Sequence, residues 1–142
     1  MTVGSLIETR NTDIATCDAA CSVGEAVGLL AQRKFGALPV IENGEVVGIF
    51  SERDVIYRIA EDGPQVLERQ VREVMTSPPV TVGPDASALA ALSLMTRRRI
   101  RHLPVMDEGR MIGFVSIGDL VKYRIDKIEA EAEAMRNYIQ TA

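Results

Sequence analysis

Two short runs hold the residue types best suited to chemistry. Ser51-Glu52-Arg53-Asp54 and Ser116-Ile117-Gly118-Asp119 share the form Ser-x-x-Asp. At the start of a helix this spacing lets the serine hydroxyl accept a free backbone N–H of the first turn, while the aspartate faces the positive helix end. The same features suit a ligand, because free N–H groups attract an anion and a carboxylate accepts hydrogen bonds from two neighbouring hydroxyls. A single Ser-x-x-Asp is most simply a helix cap, so the surrounding chain must decide whether these two are more.

That surrounding chain is an internal repeat. "LPVIENGEVVGIFSERD", residues 38–54, recurs as "LPVMDEGRMIGFVSIGD", residues 103–119, at a constant offset of 65, with seven of seventeen positions identical and no gap. The same offset pairs Thr16 with Thr81, Ser22 with Ser87 and Ala26 with Ala91. A unit of about sixty residues is marginal alone, burying only about 60% of its unfolded surface. Two copies are therefore expected to pack around a pseudo-twofold axis and to leave two equivalent clefts.

The elements that must position the motifs read in the same order in each copy. A short extended piece, near Ile14 to Cys17 or Val80 to Val82, precedes a helix with apolar residues at helical spacing: Val23, Val27, Leu30 and Ala31, then Ala88, Leu92 and Met95. Two strands follow, "ALPVI" with "VVGIF" around Gly44 and "HLPVM" with "MIGFV" around Gly109. Another helix starts at each Ser-x-x-Asp. The order is β-α-β-β-α, an α/β class, with repeat one over residues 11–68, repeat two over 76–132 and the end of a C-terminal helix over 133–142. Between the copies, Gly63 and Pro64 make a break, "VLERQVREVM" reads as helical, and "TSPPV" enters the second unit extended.

Composition narrows the function classes. A chain of 142 residues, 46% hydrophobic and 25% charged, fits one soluble domain or two small subdomains. A net charge of -4 argues against a general nucleic-acid binder, and three Tyr, three Phe and no Trp leave few platforms for base stacking. The arginines of "RRRIRH", residues 97–102, close a helix whose negative end they offset, with phosphate contact the alternative. No stretch reaches the roughly 20 apolar residues of a membrane span and no signal-peptide pattern opens the chain, so a cytoplasmic protein is expected.

Catalysis and metal binding are not expected. His102, the only histidine, shares its repeat with Ser116 and Asp119, yet no nucleophile elbow accompanies them and repeat one has Ala37 at the matching place. There is no P-loop and no Gly-rich dinucleotide fingerprint. Cys17 and Cys21, spaced C-x-x-x-C without a second pair or a nearby histidine, read as reduced structural thiols. A thiol or metal enzyme using them is the remaining catalytic reading.

At "VREVMTSPPVTV", "IRHLPVMDEGRMIGFVSIGDLV" and the paired "GIFSERD" and "GFVSIGD", the chain resembles a tandem cystathionine beta-synthase (CBS) domain pair, small stand-alone bacterial members in particular. The resemblance implies a compact pair whose clefts bind adenosine-containing ligands such as AMP, ADP, ATP, S-adenosylmethionine or NAD(H). It implies Ser51 and Ser116 near phosphate and Asp54 and Asp119 on the ribose hydroxyls. Adenine would lie between the extended pieces ending at Thr16 and Thr81 and the strand starts at Ala37 and Leu38, and His102 and Leu103. The copies are not equivalent: Arg53 has no cationic counterpart in the second motif, and Arg101 replaces Gly36 of the first copy. Different affinities or ligands at the two sites are expected.

The last segment adds a partner. Val121, Ile125, Ile128, Ala132, Met135 and Ile139 form a heptad seam on an otherwise charged helix. It predicts a helix crossing to a second subunit, in preference to one folded on its own module. The leading expectation is a non-catalytic, homodimeric nucleotide-sensing module acting on an unidentified effector protein. The alternative is a ligand-free dimerisation scaffold.

Overall fold

The computed structural model describes residues 2–8 and 14–141. The element order is α1 (Val3–Glu8), β1 (Cys17–Asp18), α2 (Val23–Arg33), β2 (Ala37–Glu42), β3 (Glu45–Ser51), α3 (Glu52–Asp62), two 3₁₀ turns (Pro64–Glu68 and Val71–Glu73), α4 (Ala88–Arg98), β4 (His102–Asp107), β5 (Arg110–Ser116) and α5 (Ile117–Thr141). Each copy thus has the expected order of extended piece, helix, hairpin and helix.

The repeat governs hydrogen bonding as well as sequence. β1 pairs in parallel with β2 through Cys17 and Val40, and the equivalent Val82 bridges in parallel to Val105. β2 with β3 and β4 with β5 form antiparallel hairpins in matching register, Ala37 opposite Ser51 and His102 opposite Ser116. Asn43 and Gly44, and likewise Glu108 and Gly109, all take positive φ in the two-residue turns. That is the hairpin geometry whose twist matches the strands. Ser22 and Ser87 cap α2 and α4, each accepting the backbone N–H three residues on.

Two apolar cores result. Val23, Leu30, Leu38, Val40 and Phe50 belong to the first; Met95, Leu103, Val105, Val115 and Leu120 belong to the second. The segments that close them are exchanged along the chain. The first core is closed by Val66, Val71 and Val74 of the linker between the copies. The second is closed by Val3 and Leu6 of α1, from the other end of the chain. Equivalent bonds make the match explicit: Val71 N–H donates to Cys21 O and Val3 N–H to Ala86 O, both at 2.8 Å.

Two expectations are corrected. The linker "VLERQVREVM" is not a continuous helix but two 3₁₀ turns, because Arg69 and Gln70 are extended and there bind the start of α2. In repeat one the expected extended piece from Ile14 becomes a strand only at Cys17, which pairs with Val40 in the middle of β2.

Candidate functional site

Two cavities lie between the repeats, each built from one Ser-x-x-Asp and the opposite repeat. The first, about 340 Å³, is bordered by Ser51, Arg53 and Asp54 at the start of α3, by Thr76, Pro78 and Val80, and by Arg99, Arg101 and His102 of the second repeat. The second, about 410 Å³, is bordered by Ser116 and Asp119 at the start of α5, by Ile14 and Ala15, and by Lys34, Phe35 and Ala37 of the first repeat. Lys34 and Arg99 are equivalent corner residues, both left-handed at φ 57° and 55°, where α2 and α4 turn into the strands.

The glycine that precedes each motif is explained by close approach. A Cβ on Gly48 would stand 2.7 Å from Met75 Sδ and 2.8 Å from Thr76 O. One on Gly113 would stand 2.7 Å from Ile7 Cγ2. The incoming segments lie directly on the strands, and Thr76 exchanges two backbone hydrogen bonds of 2.9 Å with Ile49.

Both motifs are complete capping boxes. Ser51 N–H donates to Asp54 Oδ2 at 2.8 Å and Asp54 N–H to Ser51 Oγ at 3.3 Å. The corresponding distances for Ser116 and Asp119 are 2.9 and 3.0 Å. Asp54 also accepts from Ser51 Oγ and from Thr76 Oγ1, each at 3.0 Å. A carboxylate has about four acceptor positions, so Asp54 retains room for one more donor without dismantling its cap.

Of the residues singled out in the sequence, Ser51, Arg53, Asp54 and Arg101 meet in the first cavity, Ser116 and Asp119 in the second, and Ala37 and His102 border both. Leu38 and Leu103 are fully buried in the two cores, since successive strand side chains face opposite ways. Thr16 and Thr81 are exposed and outside both linings; Ala15 and Val80, one residue earlier, line the cavities instead. Arg99, read in the sequence as one of a run of arginines closing a helix with phosphate contact the alternative, is in the first lining, which Thr76 and Tyr57 join without having been singled out. Thr76 has no local signal, because its partner Asp54 lies 22 residues away.

The CBS domain profile matches residues 3–61 and 71–126. The chain belongs to the CBS domain family. The first match begins at Val3 and the second at Val71, the two residues that occupy equivalent places in the fold. The CBS chain is 32% identical over 135 residues to YhcV of Bacillus subtilis, with 95% of each covered. It is 37% identical over 129 residues to the mitochondrial CBSX3 of Arabidopsis thaliana, covering 87% of this chain but spanning only 63% of CBSX3. Among solved structures it is similar to the CBS domain protein ATU1752 of Agrobacterium tumefaciens, with TM-score 0.83, 37% identity and 87% and 92% of the two chains covered. It is also similar to CBSX2 in complex with AMP, with TM-score 0.74, 27% identity and coverage of 88% and 96%.

In this CBS pair the wall shared by the two clefts is asymmetric. His102 stacks on Phe114 with ring centroids 5.6 Å apart, whereas its equivalent in repeat one is the small Ala37. Burial lowers the imidazole pKa below its ordinary value, with Arg101 adding to the effect and Asp119 and Glu52 opposing it. Burial also pushes the Cys17 thiol up to about 12 and the Cys21 thiol to about 11, Cys21 being held further by its hydrogen bond to Glu25. Both are thus protonated thiols near neutrality, the unreactive form. Among the described residues, no three His, Cys, Asp or Glu side chains stand together as a metal-binding group, and no helix is long and apolar enough to cross a membrane.

Proposed function

We propose that this protein is a non-catalytic sensor of adenosine nucleotides, binding AMP, ADP or ATP in the clefts between its repeats. NAD(H) or S-adenosylmethionine would enter by the same adenosine end. In this reading Ser51 and Ser116 face phosphate and Asp54 and Asp119 take the ribose hydroxyls. The observation that carries it is the composition of each cleft: a helix N-terminus with Ser-x-x-Asp from one repeat meets the turned corner after a helix of the other. A ligand spanning such a cleft binds both repeats at once, so its affinity depends on their arrangement. That dependence is what a sensor requires, because a ligand with equal affinity for two arrangements shifts neither. The AMP complex of CBSX2 supports the class of ligand.

The readout is proposed to be a homodimer that contacts an effector protein, with α5 as the joining element. The proposed compartment is the cytoplasm, where two unpaired cysteines stay reduced. A thermal-shift series with AMP, ADP, ATP, NAD(H) and S-adenosylmethionine tests the function. A ligand at about 100 times its dissociation constant adds roughly 2.7 kcal/mol of stability. A shift with at least one of them is expected. The absence of any shift would favour the scaffold reading, in which the two Ser-x-x-Asp motifs act as helix caps alone, closed by the bonds within each pair.

A further inference from the structure

We propose that the two clefts take different classes of adenosine compound: the first one with an anionic 5′ group, the second one with an uncharged 5′ group. This rests on the adenosine-binding reading above and narrows it: the ribose roles of Asp54 and Asp119 stay, the phosphate role stays with Ser51, and Ser116 meets an uncharged 5′ group instead. At the first cleft, Arg53 from the start of α3 in one repeat meets Arg99 and Arg101 from the corner between α4 and β4 of the other. Their equivalents at the second cleft are Gly118, Lys34 and Gly36. Three guanidinium groups face one ammonium, and the guanidinium fork is the side chain whose geometry matches phosphate oxygens in pairs.

The cations are positioned rather than scattered. Arg53 Nη1 donates to Arg99 O at 3.1 Å, a bond that crosses from one repeat to the other. Arg99 itself occupies a left-handed corner where glycine would be less strained, and it keeps a long cationic side chain there. Two carboxylates also border this cleft. Asp54 is engaged by Ser51 and Thr76, and Glu52 Oε1 lies 3.8 Å from where a Gly36 Cβ would be, on the side of the shared wall.

The second cleft cannot simply acquire the same charge. A Cβ on Gly36 would stand 3.2 Å from His102 Cε1, so a long side chain there competes with the imidazole stacked on Phe114. In the first cleft the position matching His102 is Ala37, which leaves Arg101 its place. Gly36 with His102, and Arg101 with Ala37, are therefore matched sets that make the clefts unlike. The second cleft instead presents Phe35 and Ile112, 43% and 42% exposed, as an apolar border that an uncharged ligand group would cover.

Calorimetric titration with AMP, ATP, adenosine and 5′-deoxyadenosine tests this on Asp119→Asn, which leaves the first cleft intact, and Asp54→Asn, which leaves the second. Asparagine keeps an oxygen that can accept the serine N–H while removing the carboxylate, so both variants should fold. Through the first cleft, AMP should bind at least about tenfold tighter than adenosine, and the gap should narrow with added salt as the charges are screened. Through the second, adenosine should bind at least as tightly as AMP, with no salt dependence. Gly118→Arg should then convert the second cleft to a preference for AMP; a Cβ there meets only Ser116 Oγ at 3.7 Å, an ordinary contact. The same ranking of ligands in both single-cleft variants would overturn the proposal while leaving adenosine binding in place. Failure of the wild-type protein to bind any of the four compounds would remove the underlying reading instead.

Discussion

Ser51 and Asp54 close the start of α3 and also border the first cleft, where Asp54 keeps one acceptor position beyond those taken by Ser51 and Thr76. His102 goes further, since its ring is wall to both clefts and is packed between Phe114 and Gly36. Its pKa lies below the ordinary 6.5 of the free side chain because burial outweighs the attraction of Asp119 and Glu52. The folded chain therefore binds fewer protons there than the unfolded chain in the pH range just under 6.5. The stability that His102 contributes is complete above that pH and is lost as pH falls through the folded value. The melting temperature of the wild-type protein should fall between about pH 6.5 and pH 5 by more than that of His102→Ala, since only the former must charge a buried imidazole. Alanine is the residue that repeat one carries at the equivalent place, so the variant should fold. Parallel pH profiles would assign the acid sensitivity to other groups.

At the scale of elements, the strands and the helix starts were legible in the sequence and the closing segments were not. Each hairpin announces itself locally, through two short apolar runs and a turn glycine, and each Ser-x-x-Asp marks its helix within four residues. The short α1 has no such signature: it is six residues long, contains Gly4, and owes its place to a core formed by residues from Ala88 to Leu120, far along the chain. A clue existed in "VGSLI", which matches "VREVM" at an offset of 68 where the rest of the repeat runs at 65. The change of offset hid it from a gapless comparison. The candidate site divides in the same way, since Ser51, Asp54, Ser116 and Asp119 belong to local motifs, whereas Thr76 and Arg99 reach the first cleft through contacts between distant segments. Leu6→Ala gives this exchange of segments a measurable consequence. Leu6 is 3% exposed within the second core, and loss of a buried leucine side chain destabilises by about 2–5 kcal/mol. Denaturant unfolding should show that loss, with amide exchange rising chiefly in β4, β5 and α4. A loss below about 0.5 kcal/mol, the size of an ordinary surface substitution, would mean that α1 is not part of that core.

The whole molecule is completed by what α5 does beyond the body. Its first turns pack through Leu120 and Tyr123 on the second core, but every side chain from Ile125 to Thr141 is exposed. At 1.5 Å per residue, that portion projects for about 25 Å. The expected seam lies on it, with Ile125 and Ile128 each 48% exposed and Ile139 66% exposed, so the helix is not folded onto its own module. Pairing two such helices would cover Ile125, Ile128, Met135 and Ile139 from each chain, at about 1 kcal/mol for the exposed half of each side chain. The resulting total of about 8 kcal/mol falls inside the roughly 4–15 kcal/mol that association itself costs. A helix pair alone is thus at the threshold of stability, so the dimer should depend on concentration and respond to a single charge in the seam. Wild-type protein is expected to sediment at twice the 15.5 kDa chain mass at tens of micromolar, and Ile128→Glu to sediment as a single chain. Nucleotide affinity should survive in the variant, because both clefts are built within one chain from residues that precede Leu120. A wild-type monomer, or a dimer untouched by the charge, would turn the seam over to a different protein partner. A simultaneous loss of nucleotide binding would instead mean that the clefts are held in shape by the dimer, joining sensing and assembly in one equilibrium.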